Sequence, residues 1–184
     1  MIVLVIGGAA SGKSEFAEKI CTSVGKQIAY VATMQPFGEE AEKRIARHLK
    51  LREGKGFLTV ERYTDIGGVT TEANKKIDTL LIECVSNLCA NEIFSPEGAG
   101  ETAVTAVLDG VRQLSERYQN IVLVTNEIFS DGISYDETTT AYQQKLGEIN
   151  CGLAKLADAV VEVVCGIPLI RKDQTAILKE LTTE

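Results

Sequence analysis

The 184-residue chain carries 26 acidic against 19 basic side chains, a formal net charge of −7. A chain of this length buries one substantial core and falls short of two, and its acidity argues against a binder of nucleic acid or of an anionic membrane, which would present a net basic face. Five cysteines, Cys21, Cys84, Cys89, Cys151 and Cys165, form no CxxC pair and stand in apolar stretches, the pattern of reduced, buried thiols in a cytoplasmic protein rather than of a zinc site.

The opening "MIVLVIGG" has an apolar run of only five residues with no basic segment before it, too short for a signal peptide or a membrane span. That run, 2–6, predicts a strand. In chain order there follow a helix over 13–24, a strand over 28–32, a helix over 38–52, a strand over 79–83, a helix over 101–119, a strand over 121–125, a helix over 138–157 and a strand over 159–164. The strands are continuous Val, Ile and Leu runs rather than alternating ones, the mark of a parallel sheet covered on both faces. The expected architecture is therefore α/β: a three-layer fold with a mostly parallel central sheet and right-handed crossovers. Residues 57–63 read as a further strand, and 64–77 as either helix or loop. Residues 95–100 are a loop broken by Pro96, Gly98 and Gly100, and 126–139 are too polar and irregular for core. Loops that follow strands lie at the ligand-binding edge of such sheets. One nucleotide-binding domain over 1–172 is expected, with 173–184 a surface helix or frayed tail.

Residues 7–14, "GGAASGKS", match the phosphate-binding loop G-x-x-x-x-G-K-[ST] between a strand and a helix. Small residues at Gly7, Gly8, Ala9, Ala10, Ser11 and Gly12 let main-chain N–H groups wrap phosphates at the helix N-terminus. Lys13 adds a full charge near the β and γ phosphates, and Ser14 offers a hydroxyl to Mg²⁺. The chemistry implied is that of a nucleotide with magnesium. A metal held by a loop serine needs a carboxylate at the end of another buried strand. Glu83, closing "TLLIE", is the candidate, unless it is an ordinary exposed acid; Asp65 and Asp78 lie outside the apolar runs and are poorer ones.

The only histidine, His48, stands between Arg44 and Arg52 at i, i+4 and i+8 on one helical face. Two guanidiniums there would grip a triphosphate and disfavour protonation of the imidazole, leaving it nucleophilic near neutral pH. An exposed histidine on a charged helix has the same spacing, and the pattern alone leaves both readings open.

Taken together, the ordered set "GGAASGKS", "YVAT" (30–33), "RIARH" (44–48) with Arg52, "LIEC" (81–84) with Asn91, "VTNE" (124–127), "GEIN" (147–150), Ala157-Asp158 and "GIPL" (166–169) resembles the adenosylcobinamide kinase / adenosylcobinamide-phosphate guanylyltransferase family of cobalamin biosynthesis. The resemblance implies a P-loop NTPase-like (RecA-like) fold and two reactions. In one, the hydroxyl of the aminopropanol arm of adenosylcobinamide takes the γ-phosphoryl of ATP or GTP. In the other, His48 attacks the α-phosphate of GTP, releases pyrophosphate, and passes GMP to adenosylcobinamide phosphate. Lys13, Ser14 and Mg²⁺ would serve both reactions. By the same resemblance Ala32, Thr33, Met34, Lys50, Arg52 and Glu61 line the nucleotide with Glu83, and the chain forms a homotrimer.

The chain departs from that pattern at Ala10, where the family often has arginine, and at Thr140 and Gln143, two further arginine positions. A P-loop kinase without guanylyl transfer, with His48 a surface residue, and a non-enzymatic nucleotide-sensing module are the competing readings.

Overall fold

The structure is a computed structural model and describes residues 1–36, 38, 54–71 and 76–182. Of the predicted helix over 38–52, residues 39–52, with Arg44, His48, Lys50 and Arg52, lie outside the described residues.

The described strands are β1 (Ile2–Gly7), β2 (Ile28–Ala32), β3 (Leu58–Glu61), β4 (Thr79–Glu83), β5 (Asn120–Asn126), β6 (Ala159–Val164) and β7 (Ile167–Asp173). They form one sheet in the order β3-β2-β4-β5-β1-β6-β7, in which only β7 runs antiparallel. The described helices are α1 (Lys13–Val24), α2 (Val85–Phe94), α3 (Ala103–Arg117), α4 (Glu137–Leu156) and α5 (Ile177–Thr182).

Successive side chains of a strand point to opposite faces, and the apolar runs use both. Leu4, Leu80, Ile82, Ile121 and Leu123 pack on one face against Val85 and Leu88 of α2, Val107, Val111 and Leu114 of α3, and Leu146, Ile149 and Leu153 of α4. Val3, Val5, Leu81, Val122, Val124, Val161 and Val163 pack on the other against Ala17, Ile20 and Cys21 of α1 and Leu178 of α5. This is the three-layer arrangement that the unbroken apolar runs predict.

Two elements escaped the sequence reading. Helix α2 begins directly after β4, and β7 forms a hairpin with β6 along the sheet edge. The stretch 57–63 contains the four-residue β3, while the described part of 64–77 holds only a 3₁₀ turn, Ile66–Gly68. The expectation of five buried thiols is corrected: Cys21 and Cys89 are buried, but Cys151 and Cys165 are exposed. Cys151 lies on the outer side of α4, and Cys165 occupies the β6–β7 turn, where it and Gly166 both have positive φ. Among the described residues no helix is long and apolar enough to cross a membrane.

Candidate active site

The C-terminal ends of the parallel strands form a single edge, and the strand register sets what stands along it. Gly7 of β1 pairs with Asn126 of β5, Glu83 of β4 with Val124, and Ala32 of β2 with both Glu83 and Glu61 of β3. The loop after β1, the carboxylate of Glu83 and the carboxylate of Glu61 therefore share an edge, although they are far apart in sequence.

The loop itself is held from two sides. Gly166 N–H donates to Ser11 O at 2.8 Å, and Glu127 N–H donates to Gly7 O at 3.0 Å. Ala10 and Gly12 adopt the left-handed region, with φ of 55° and 90°. At Gly12 a Cβ would also stand 3.3 Å from Gly166 Cα, so glycine is required there by conformation and by space. No side chain caps α1 at Gly12. The N–H groups of its first turn are thus left for an anion, with the helix dipole adding to their attraction. Ser11 Oγ is buried and has no hydrogen-bond partner among the described residues.

Lys13 is only 9% exposed, and its Nζ donates to Gly8 O at 2.9 Å. Burial pushes its pKa below the ordinary lysine value, against the opposing pull of Cys84 and Glu83. A half-desolvated ammonium with one carbonyl partner is an electrostatic deficit that a phosphate would relieve. Ser14 Oγ donates to Glu83 Oε1 at 2.6 Å, and Glu83, also 9% exposed, is a buried acid rather than the solvent-facing alternative. A hydroxyl and a carboxylate in contact beside a lysine form a hard-oxygen pair of the kind Mg²⁺ takes alongside phosphate oxygens, so the residues present fit that ion.

Asp65 and Asp78 are occupied elsewhere. Asp78 accepts from Lys26 N, Gln27 N and Thr79 Oγ1, and Asp65 pairs with Arg62. Thr33 is committed to stitching two strand ends: its Oγ1 donates to Cys84 O at 2.8 Å and accepts from Cys84 N at 2.7 Å. Asn91 then ties Thr33 O to Tyr63 O. Ala32 and Met34 flank Thr33, partly exposed at the edge. Glu61 accepts from Tyr63 Oη at 2.8 Å, and burial followed by that carboxylate raises the Tyr63 pKa to about 12. With β3 four strands from β1, Glu61 stands about 19 Å along the edge from the loop after β1.

The structure also gives a role to Asn150, inside the quoted "GEIN", and adds Ser86, which motif reading did not single out. Asn150 accepts from Thr125 Oγ1 at 2.7 Å and reaches Asn126 O, so "GEIN" fixes the end of β5 to α4. Ser86, buried at the start of α2, accepts from Asn126 N and takes the Tyr142 hydroxyl on its carbonyl. The polarity of these residues inside helices that otherwise bury apolar faces was the available signal.

A family profile described as "Cobinamide kinase / cobinamide phosphate guanyltransferase" matches residues 3–170. The chain belongs to this family. Within the cobinamide kinase / cobinamide phosphate guanyltransferase family, it is similar to the bifunctional adenosylcobalamin biosynthesis proteins CobU of Escherichia coli and of Salmonella typhimurium. Identities are 31% and 30%, with 91% of this chain and 97% of each relative covered. It is 27% identical to CobP of Pseudomonas aeruginosa, which bears the same descriptive name, over 93% of this chain and 97% of that one. Among solved structures, a KaiC-like protein of Pyrococcus horikoshii superposes with a TM-score of 0.49 at 14% identity, covering 95% of this chain and 80% of that one.

Proposed function

We propose that the chain carries out both family reactions at one triphosphate site: phosphorylation of adenosylcobinamide by ATP or GTP, and guanylyl transfer from GTP through a histidine to give adenosylcobinamide-GDP. The observation that carries this reading is the uncapped N-terminus of α1 with buried Lys13 and the Ser14–Glu83 contact at its mouth. Main-chain N–H groups from Gly7 to Ser14 bind and orient the phosphates, and Lys13 neutralises charge that grows on the transferred group. Ser14 and Glu83 hold Mg²⁺, which when bound offsets phosphate charge. Glu61 accepts from a ribose hydroxyl or a base edge, with Ala32, Thr33 and Met34 forming the wall between.

His48 supplies the nucleophile for the second reaction: its ring nitrogen bonds to the α-phosphorus of GTP as the bond to the pyrophosphate oxygen breaks. Lys50 and Arg52 accompany it on the nucleotide. A cytoplasmic setting follows from the use of ATP and GTP. A homotrimer would cover the apolar side chains Val164, Ile167 and Leu169 that the β6–β7 edge exposes. Sedimentation at micromolar concentration reads the assembly directly.

The deciding experiment incubates the protein with Mg²⁺ and GTP labelled at the α-phosphate, then denatures it. Acid-labile, alkali-stable label that disappears in His48→Ala supports the reading. Absence of label at saturating GTP removes the transferase half and leaves a kinase. Absence of corrinoid-dependent γ-phosphate loss leaves a nucleotide sensor.

A further inference from the structure

A cavity of about 430 Å³ lies between the loop after β5 and the start of α4, and Glu127, Ser130, Asp131, Tyr135, Tyr142 and Gln143 line most of it. We infer that this cavity seats the hydroxyl-bearing arm of the phosphoryl acceptor against Glu127, and that its acidic lining admits the arm as an alcohol and rejects it as a phosphate. The inference rests on the kinase half of the proposed function.

Position is the first argument. Asn126 is the register partner of Gly7, and the next residue, Glu127, donates its N–H to Gly7 O. The inner wall of the cavity is therefore joined to the loop that would hold the γ-phosphate. Bracing is the second. Tyr142 Oη donates to Ser86 O at 3.2 Å and Gln143 Nε2 to Ile128 O at 3.3 Å, so α4 anchors the wall to the ends of α2 and β5. Glu127 Oε1 accepts from Phe129 N and Ser130 Oγ at 3.0 and 2.7 Å, which fixes the orientation of the carboxylate.

Chemistry is the third argument. Among the described residues the lining has two carboxylates, several hydroxyls and an amide, and neither lysine nor arginine. Such a surface hydrogen-bonds an alcohol or amide and repels a phosphate. Its volume suits an aminopropanol arm rather than a whole corrinoid ring. In the step, the acceptor oxygen forms a bond to the γ-phosphorus while the bond from that phosphorus to the β–γ bridging oxygen breaks. The nucleoside diphosphate leaves with the electron pair, and the hydroxyl proton passes to the Glu127 carboxylate. The product phosphate then faces Glu127 and Asp131 as a like charge, and the arm leaves the cavity ready for guanylylation.

The test uses the full chain with adenosylcobinamide and γ-labelled ATP or GTP. Glu127→Gln should lower kcat about 100-fold with the acceptor KM nearly unchanged, and should tighten binding of adenosylcobinamide phosphate about fivefold by removing a like charge. Tyr135→Ala, at an exposed position, should raise the acceptor KM about tenfold. Nucleotide affinity, measured in the same samples, should match the parent in both variants and so report an intact fold. Parent-like kcat and acceptor KM in both variants, or weaker product binding in Glu127→Gln, would overturn the inference. If the parent binds nucleotide but phosphorylates no adenosylcobinamide, the kinase reading fails, and the inference with it. That failure is recognisable because it appears before any substitution is made.

Discussion

The loops after β1 and β5 follow strands that are paired residue for residue, yet they are built in opposite ways. The loop Gly7–Ser14 is pinned by main-chain bonds to Gly166 and Glu127, holds Ala10 and Gly12 at positive φ, and buries Ser11 and Lys13. The loop after Asn126 is exposed through Ser130–Asp136 and held by its own side chains: Asp131 takes the Ile133 N–H and the Tyr135 hydroxyl, and Asp136 caps α4 through Thr139 N. On the proposed reading, the difference matches the ligand of each. A polyanion is bound by fixed dipoles, which work only if they do not have to reorganise. An alcohol is chosen by side chains, which a chain can vary without disturbing the phosphate site.

The largest expected effect breaks the phosphate side. Lys13→Ala should reduce both reactions about 1,000-fold by removing a shared charge, whereas His48→Ala should abolish protein-bound GMP and leave γ-phosphoryl transfer near the parent rate. Loss of phosphorylation in folded His48→Ala protein would contradict the division of labour. Next, Glu83→Gln should cost about 100-fold in phosphoryl transfer and weaken Mg²⁺ dependence, read from activity across a magnesium titration. An unchanged magnesium midpoint would remove Glu83 from the metal.

Two glycines sharpen the structural half of the comparison. Gly12→Ala places a Cβ at φ 90° and 3.3 Å from Gly166 Cα, and should lower stability by about 1–2 kcal/mol while abolishing nucleotide binding. Gly132, at φ 70° in the β5 loop, has open space around its missing Cβ, so Gly132→Ala should cost about 1 kcal/mol from backbone strain alone and spare the nucleotide. Denaturant midpoints and nucleotide affinities separate the two.

The smallest effect is a local titration. The Tyr135 hydroxyl, then the Ile133 N–H, hold the Asp131 pKa below the ordinary carboxylate value. A depressed folded pKa means that the contact contributes fully above the unfolded value of about 3.9 and is lost as pH falls through the lower, folded value. Tyr135 ring resonances should shift in that acid window, and Asp131→Asn should remove the shift. An unaltered titration in the variant would assign it to another group.

Legibility differed by element for physical reasons. The strands over 79–83 and 159–164 and the helix over 13–24 match observed bounds because each is a run whose burial or periodicity is local. Helix α2 was missed because "VSNLCANEIF" mixes buried Ser86 and Glu92 into its inner face, and those polar groups are satisfied only by distant backbone: Asp65 N and Ala99 N on Glu92, Asn126 N on Ser86. The hairpin strand β7 was hidden because Pro168 interrupts its short apolar start and Arg171, Lys172 and Asp173 end it in charge, a pattern that does not read as a strand.

By itself the sequence determined the phosphate loop, the sheet-and-helix layering and the family, because these depend on residue type at short, fixed spacings. Only the tertiary structure decided that Glu83 meets Ser14 across 69 residues, that Glu61 stands three strands beyond β5 and four from the loop, and that Glu127 abuts Gly7. Those relations are set by strand order and register, which bring distant strand ends to one edge and have no local signature in the chain.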